Sequence, residues 1–218
     1  MTTTPFSPRP LKGGLVTIDP ESAKVLRVIS LQYNAESLKR ELKAQEAGGE
    51  GGDRAEPTRF KGPALETISF EADLDATDQL EFPDQHANAV AYGIAPQLAA
   101  LEALTQPGSA QLRKVDGDAG SGTLEIAPML APLLLFVWGA GRVLPVRLAS
   151  FSITEEAFDP ALNPIHAKLS FSLRVLTVDD LGFSSRGGAL FMAYLQSREQ
   201  LATKVQPVSL STLGLSGV

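Results

Sequence analysis

The stretch Ile165–Val175, IHAKLSFSLRV, alternates apolar and polar residues without interruption and decides the fold class. Its apolar positions are Ile165, Ala167, Leu169, Phe171, Leu173 and Val175, and the residues between them are His166, Lys168, Ser170, Ser172 and Arg174. A strand places successive side chains on opposite faces, so the pattern predicts one buried face and one wet or partnered face. At about 3.3 Å per residue the strand spans roughly 36 Å, about twice the usual length.

The sequence before this strand predicts its partner. The segment Val143–Thr154 also alternates, but its phase shifts between Leu148 and Phe151, which predicts a β-bulge. The proline-rich segment Phe158–Pro164 then predicts a turn. Together these segments predict a long antiparallel hairpin.

Other segments complete the predicted secondary structure. Further strands are expected at Leu15–Ile18, Lys24–Tyr33, Leu38–Leu42, Leu65–Leu74 and Leu133–Trp138. Helices are expected at Pro96–Leu104 and Ala189–Ala202, and glycine-rich loops at Gln45–Thr58 and Asp116–Thr123. The strand at Lys24–Tyr33 is expected to turn Val25, Ile29, Leu31 and Tyr33 to one side. These elements predict an α+β fold that is mainly β.

Composition narrows the class of protein. The chain has 218 residues, of which 44% are hydrophobic, and its 19 glycines and 15 prolines favour a β-rich architecture. The absence of cysteine removes disulfides and thiolate sites. The segment 1–10 is expected to be a flexible lead-in, not a signal peptide, and Ala127–Ala140 is too short and proline-broken to span a bilayer. No membrane insertion is therefore expected.

Acidic residues are concentrated in one part of the chain. The net charge is −6, and no Lys or Arg occurs between Lys61 and Arg113. This interval contains Glu66, Glu71, Asp73, Asp75, Asp78, Glu81, Asp84 and Glu102. Such a block disfavours nucleic acid as a partner. A solvated surface is the favoured interpretation of the block, and a basic protein neighbour is the alternative.

Candidate catalytic and metal-binding motifs fail on their spacing. The segment Asp73–Glu81 has Asp78 where a calcium loop needs glycine, and Gly117–Thr123 lacks the lysine of a phosphate loop. His86 and His166 are isolated in the sequence, and the adjacent Glu155 and Glu156 point apart on a strand. The sequence therefore predicts no enzyme activity, no cofactor and no metal. A small-molecule-binding barrel or an unrecognised hydrolase with a pocket near Trp138 stays open as an alternative.

Several segments, in this order, resemble the tube-domain family of contractile injection systems, which are phage-tail-like particles. They are Leu11–Leu15, Ile29–Leu38, Gly62–Ser69, Asp75–Glu81, Leu144–Arg147 and Ile153–Ile165. The order and spacing of the segments together carry the resemblance, which extends over about residues 11–201. The family's usual tyrosine-asparagine-proline-glutamate turn has Ala35 in place of proline.

The resemblance implies a fold and a role. The implied fold is a phage tail-tube-like β-barrel or sandwich with flanking α-helices at 11–203, followed by a short tail at 204–218. The implied role is a baseplate tube-initiator, a homohexameric ring that joins the spike hub to the inner tube and contacts other baseplate proteins. A bulk inner-tube subunit is the alternative within the family. Assembly is expected in the cytoplasm, and whether the particle acts inside its producer or after release stays open.

The LysM module of some relatives is not found in this chain, so its function would be absent or supplied by another protein. Under the ring interpretation, the polar face of Ile165–Val175 and the turn Phe158–Pro164 are expected near subunit contacts. The candidate contact residues are Tyr33, Asn34, Phe158, Asp159, Asn163, His166, Lys168 and Arg174.

Overall fold

The computed structural model describes residues 11–46, 59–120 and 131–215. Its strands are Gly14–Ile18 (β1), Val25–Ser30 (β2), Leu38–Glu46 (β3), Phe60–Asp75 (β4), Leu133–Val137 (β5), Val143–Phe158 (β6) and Pro164–Val175 (β7). Its α-helices are Thr77–Leu80 (α1), Ala87–Tyr92 (α2), Ala95–Glu102 (α3), Ser109–Gly120 (α4), Val178–Leu181 (α5) and Arg186–Ala202 (α6). Short 3-10 turns lie at Pro83–Gln85 and Leu210–Leu213. The mainly β, α+β class with flanking helices is confirmed.

The described strands form one antiparallel sheet. Their order is β2-β1-β5-β6-β7-β4-β3, so β2 and β3 lie at its two edges. The centre of the sheet is the hairpin β6–β7, with β4 paired along the other side of β7. The predicted long hairpin is confirmed, and its partner β4 comes from a distant part of the chain.

The alternation predicted for β7 and β4 is the alternation observed. The apolar positions Ala167 to Val175 of β7 are buried, and so are Ile68 and Phe70 of β4. Phe171 lies opposite Phe70 on one neighbour and Phe151 on the other, and the ring centroids are 4.8 and 4.9 Å from the central ring. Three stacked aromatic rings therefore join the three central strands on the core face.

Two further expectations for this hairpin are confirmed. The pairing of β6 with β7 shifts register between Leu148 and Ser150, where the sequence predicts a bulge. Asp159 and Asn163 close the predicted turn through a backbone hydrogen bond of 2.9 Å from the amide of Asp159 to the carbonyl of Asn163.

The sheet curls so that distant strands share one core. Phe136 of β5 is fully buried, and its ring lies 5.5 Å from Phe70 of β4, although two strands, β6 and β7, separate them in the sheet order. Leu98 and Leu101 of α3 belong to the same buried cluster. The predicted buried strand at Leu133–Trp138 thus contributes to the core. Trp138 is partly buried, and its ring stacks on Phe136.

Strand β5 is covered on both faces. Leu134 and Phe136 belong to the main core, whereas Leu133 and Leu135 pack with Leu181 and Leu190, residues of α5 and α6. Alternate residues of a strand point to opposite sides, so Leu181 and Leu190 cover the face of β5 opposite Leu134 and Phe136. A continuous apolar run is the expected sequence for a strand buried on both faces.

Helix α6 is fixed to the β3–β4 pair by a charged network. The Nε of Arg40 donates to Oε1 of Glu66 at 2.6 Å, and its NH2 donates to the hydroxyl of Tyr194 at 2.7 Å. Arg198 lies 3.7 Å from the other Glu66 oxygen. The carboxylate of Glu66 holds the pKa of Arg40 above its usual range, chiefly through the hydrogen bond between them. Glu66 is only 4% exposed, so its inclusion in a solvated acidic block was wrong.

Some boundaries differ from the sequence predictions. Residues 116–120 belong to helix α4 and not to a loop, because the preceding segment is rich in helix formers that outweigh Gly117. Strand β2 is Val25–Ser30, so Leu31 and Tyr33 of the predicted strand lie beyond its end; Leu31 is buried, whereas Val25 and Tyr33 are exposed. Strand β3 continues to Glu46. The predicted lead-in 1–10, residues 47–58 of the predicted loop, residues 121–123 and the last residues 216–218 lie outside the described residues.

Candidate assembly surfaces

Strand β2 lies at one edge of the sheet and carries exposed apolar side chains. Within the described residues β2 pairs only with β1. Val25, Leu26 and Val28 are 54, 52 and 65% exposed. An edge strand of this composition is a template for pairing with another chain, and monomeric proteins usually blunt such edges with charge or proline. Here only Arg27 carries a charge within the strand.

The opposite edge has a different character. Strand β3 pairs only with β4 among the described strands, and it alternates Lys39, Glu41 and Lys43 along its exposed side. Lys39 and Glu41 lie 3.8 Å apart as a surface ion pair. The two edges of the sheet therefore present unlike surfaces, one apolar and one charged.

A third unpaired margin lies along β6. Strand β6 pairs with β5 only over Val143–Val146, and in the described part of the chain the rest of β6 has β7 as its single strand neighbour. A groove of about 670 Å³ follows this margin, lined by Leu148 and Phe151 on β6 and by Leu104 after α3.

The turn between β6 and β7 is held by one carboxylate. Asp159 accepts hydrogen bonds from the amides of Ala161 at 2.7 Å and Asn163 at 2.8 Å, and from the Asn163 side chain at 2.8 Å. The side-chain bond from Asn163, with the two amide bonds, holds the pKa of Asp159 below its usual range. Both predicted contact residues therefore shape the turn.

This turn is also attached to helix α2. The Asn163 side chain donates to the carbonyl of Ala91 at 3.3 Å, and the amide of Ile94 donates to the carbonyl of Pro164 at 2.8 Å. Gly93 has a φ of +57°, and a Cβ there would collide with the Pro164 carbonyl oxygen. Glycine at this position is what permits the close approach.

Apolar side chains project from the fixed turn. Phe158 is 48% exposed and Leu162 is 79% exposed. Leu162 also has a φ of +66°, a left-handed conformation that is uncommon for residues other than glycine, asparagine and aspartate. The turn thus presents a leucine outward in a strained backbone conformation, a feature that is typical of functional surfaces.

The charged candidates on β7 are already paired within the chain. Lys168 donates to Glu156 at 2.9 Å, and Nδ1 of His166 lies 3.2 Å from the same carboxylate. The hydrogen bond between Lys168 and Glu156 lowers the pKa of Glu156 and raises that of Lys168. Arg174 donates to Asp180 at 2.6 Å at the other end of the strand.

Tyr33 and Asn34 lie on the loop after β2. The side-chain oxygen of Asn34 accepts from the amide of Gly13 at 2.8 Å, and its nitrogen donates to the carbonyl of Leu11 at 2.8 Å, so Asn34 fixes the start of β1. The Tyr33 hydroxyl lies 3.4 Å from Asp78, whose negative charge raises the pKa of the phenol.

The structure brings most of these predicted candidates to one end of the sheet. Asp75 pairs with His166 across β4 and β7, and its backbone carbonyl accepts a 2.7 Å hydrogen bond from Gln32, next to Tyr33. The loop of Tyr33 and the turn of Phe158 therefore flank the same end, and Arg174 alone lies at the far end of β7. The apolar β2 edge was absent from the prediction, although the run Val25-Leu26-Arg27-Val28 was visible in the sequence.

The described residues offer little chemistry around Trp138. Its ring lies 5.8 Å from Phe136 and 6.4 Å from Phe70, and it lines none of the three principal cavities in the described part of the chain. Across residues 11–46, 59–120 and 131–215, no group of three or more His, Asp or Glu side chains is arranged to hold a metal ion. Among those same residues, no helix has both the length and the apolarity needed to cross a membrane.

Comparison with known proteins gives no family. No protein-family model matches the chain, and no curated protein is significantly similar to it in sequence.

Proposed function

We propose that this protein is a structural ring subunit of a contractile injection system, with a tail-tube-like fold. In this proposal six copies form a baseplate tube-initiator ring between the spike hub and the inner tube, and other baseplate proteins surround it. Its work is geometric and involves no catalysis: one side of the ring fits the hub and the other templates the tube. The sequence resemblance supports the family, and the surfaces described above support assembly.

The observation that carries the proposal is the β2 edge. An open strand with three exposed apolar side chains is a hazard in a monomer, and pairing with a second chain both completes its hydrogen bonds and removes the apolar surface from water. Permanent interfaces of this kind bury roughly 2,000–5,000 Å² and resemble a protein core.

The difference between the two edges supports a ring over a symmetric dimer. A two-fold dimer repeats one patch on both partners, whereas a ring joins a patch to a different patch on the next copy. The apolar β2 edge and the charged β3 edge of one copy are unlike, and they lie at the two ends of the strand order. A head-to-tail contact uses both.

Cryo-microscopy of the native particle tests the proposal directly. We expect one six-membered ring of this chain between the hub and the tube. Many stacked rings of the chain would assign it to the bulk tube instead. Particles that lack the chain, or a chain that stays monomeric by mass photometry even with the hub protein present, would contradict the proposal.

The turn at the end of the β6–β7 hairpin gives a mutational test. Phe158→Asp places a charge on an exposed apolar side chain, so the free energy of unfolding should change by less than about 1 kcal/mol while ring formation is lost. Thr154→Asp, an exposed polar position on the same strand, is the matched control and should still assemble. Particles that form normally with Phe158→Asp would remove this turn from the contact surface.

A further inference from the structure

The segment that follows α6 is apolar, uncharged and unpacked. Residues 205–218 read VQPVSLSTLGLSGV and contain no ionisable side chain. Val205, Val208 and Leu213 are 73, 69 and 72% exposed. A run of exposed valine and leucine without charge is neither a solvating tail nor part of this chain's core.

The hydrogen bonds of this segment stay local. The amide of Val205 donates to Ala202 at 3.2 Å, that of Thr212 to Ser209 at 3.0 Å and that of Leu215 to Leu210 at 3.1 Å. In the described part of the chain its bonds thus reach no further than the end of α6. Ser209 has extended backbone angles, φ −75° and ψ 152°, and the 3-10 turn Leu210–Leu213 follows it, so only the part of the segment before that turn is shaped to lie along a strand.

An apolar groove on the same molecule matches this segment. The groove has a volume of about 480 Å³ and lies between the β2 edge and the connection from α3 to α4. Leu26, Leu104, Pro132 and Leu134 contribute its apolar walls, and Arg27 is the single charged residue among the described residues that line it. Arg27 already donates to the carbonyl of Ala100 at 3.3 Å.

The groove and the segment are separate surfaces of the same chain. The segment leaves α6 just after Arg198, which contacts Glu66 on β4 beside the β3 edge. The groove is bordered by β2, the edge strand at the other end of the strand order, and by Leu134 of β5. None of residues 203–215 lines the groove of its own chain.

We propose that residues 205–215 of one copy occupy the groove beside β2 of the next copy. The apolar side chains fill the groove, and residues 206–209, which precede the 3-10 turn, pair with the unpaired margin of β2, a form of strand addition. Because the described lining of the groove contains no acidic residue and residues 205–215 contain no ionisable side chain, association of these described parts desolvates almost no ionic group. This inference rests on the proposed function, since both need head-to-tail association of copies.

Disulfide trapping tests the inference in the full-length chain. The natural sequence has no cysteine, so Ser211→Cys in the segment and Gln111→Cys beside the groove introduce the only thiols. On oxidation at high concentration, a chain carrying both should form a ladder of covalent oligomers on a non-reducing gel. The control pair is Ser211→Cys with Lys39→Cys, an exposed site on the β3 edge, and it should give at least tenfold less product.

A charge placed in the segment is the second measurement. Adding Leu213→Asp to the trapping pair should lower the oligomer yield at least tenfold, whereas Gln206→Asp, which adds the same charge at a polar position, should lower it much less. A cross-link within one chain, or a yield no higher than the control pair's, would overturn the inference. Six-membered rings without this cross-link would reject only the inference, whereas cross-linked chains that never close into rings would support it and reject the proposed ring.

Discussion

Strands β2 and β5 lie on either side of β1, and both are apolar, yet they have opposite environments. Val16 of β1 is paired with Leu135 of β5 on one side and with Val28 of β2 on the other. Leu135 is buried under α5 and α6, whereas Val28 is two-thirds exposed. Position in the sheet, and not hydrophobicity, decides which of the two contributes to the stability of the monomer. The apolar surface of β2 is therefore available for another molecule.

The largest expected difference comes from one substitution made in both strands. Leu135→Ala removes a side chain that is 7% exposed and should lower the free energy of unfolding by about 2–5 kcal/mol, because it leaves a cavity. Leu26→Ala, at a side chain 52% exposed, should change it by less than about 1 kcal/mol. Urea unfolding of both variants measures the difference, and equal losses would show that β2 is part of the monomer core.

The network around Glu66 extends the comparison to the opposite edge. Glu66→Gln removes the buried charge that holds Arg40, and we expect a loss of about 1.5–3 kcal/mol in unfolding free energy. Lys39→Ala, in the exposed pair with Glu41, should change it by less than about 1 kcal/mol. Chemical denaturation at neutral pH checks both values. A neutral effect of Glu66→Gln would mean that α6 is held by apolar packing alone.

A substitution in β2 should have a smaller effect, and the effect should be on self-association and not on folding stability. Val28→Lys adds the residue that natural edge strands use against pairing, so self-association should weaken about tenfold, or roughly 1.4 kcal/mol. Folding stability should stay nearly constant, because the side chain is exposed. Glu21→Gln is the control, because it changes the net charge by the same amount as Val28→Lys at an exposed position in the turn before β2. Sedimentation velocity measures association, and unchanged association would exclude this edge from the contact.

The smallest expected effect is the pH dependence of the exposed pair Glu156–Lys168. The hydrogen bond lowers the pKa of Glu156 from its ordinary 4.5, so its stabilisation is present above pH 4.5 and is lost as the pH falls through the lower, folded value. Lys168 has a raised pKa, so its contribution is present below pH 10.5 and disappears as the pH rises through the higher, folded value. The difference in Tm between wild type and Glu156→Gln should therefore narrow at both extremes. A difference that stays constant with pH would show that the pair adds nothing.

Local patterns predicted the strands well because alternation is a property of neighbouring residues. The burial of β7, the bulge after Leu148 and the doubly buried β5 all follow from side-chain parity or from a continuous apolar run. Parity could also have placed Glu66 inside, since it shares the face of Ile68 and Phe70. Its partners Arg40 and Tyr194 are far away in sequence, so only the tertiary structure shows why a buried carboxylate is tolerated.

A local sequence pattern could not predict the order of the strands in the sheet. Nothing in the run Val25–Val28 distinguishes an edge strand from a central one, because the distinction depends on which strands lie beside it. The predicted contact residues lie in the β6–β7 hairpin and in the loop after β2, and most of their charged groups have partners within the chain. The exposure of the apolar side chains of β2 and of the segment after α6 is set by the tertiary structure, so local sequence patterns do not predict it.

The attachment of the hairpin turn to α2 has a consequence for recognition. Asp159 stabilises the turn by hydrogen bonds within it. The hydrogen bonds from Asn163 to Ala91 and from Ile94 to Pro164 attach the turn to α2 and the residues that follow it. A projection that is already rigid loses little conformational entropy when it docks, so more of its contact energy appears as affinity. Phe158 and Leu162 are thus displayed on a preorganised support, which lets a small contact area select one relative orientation of two molecules.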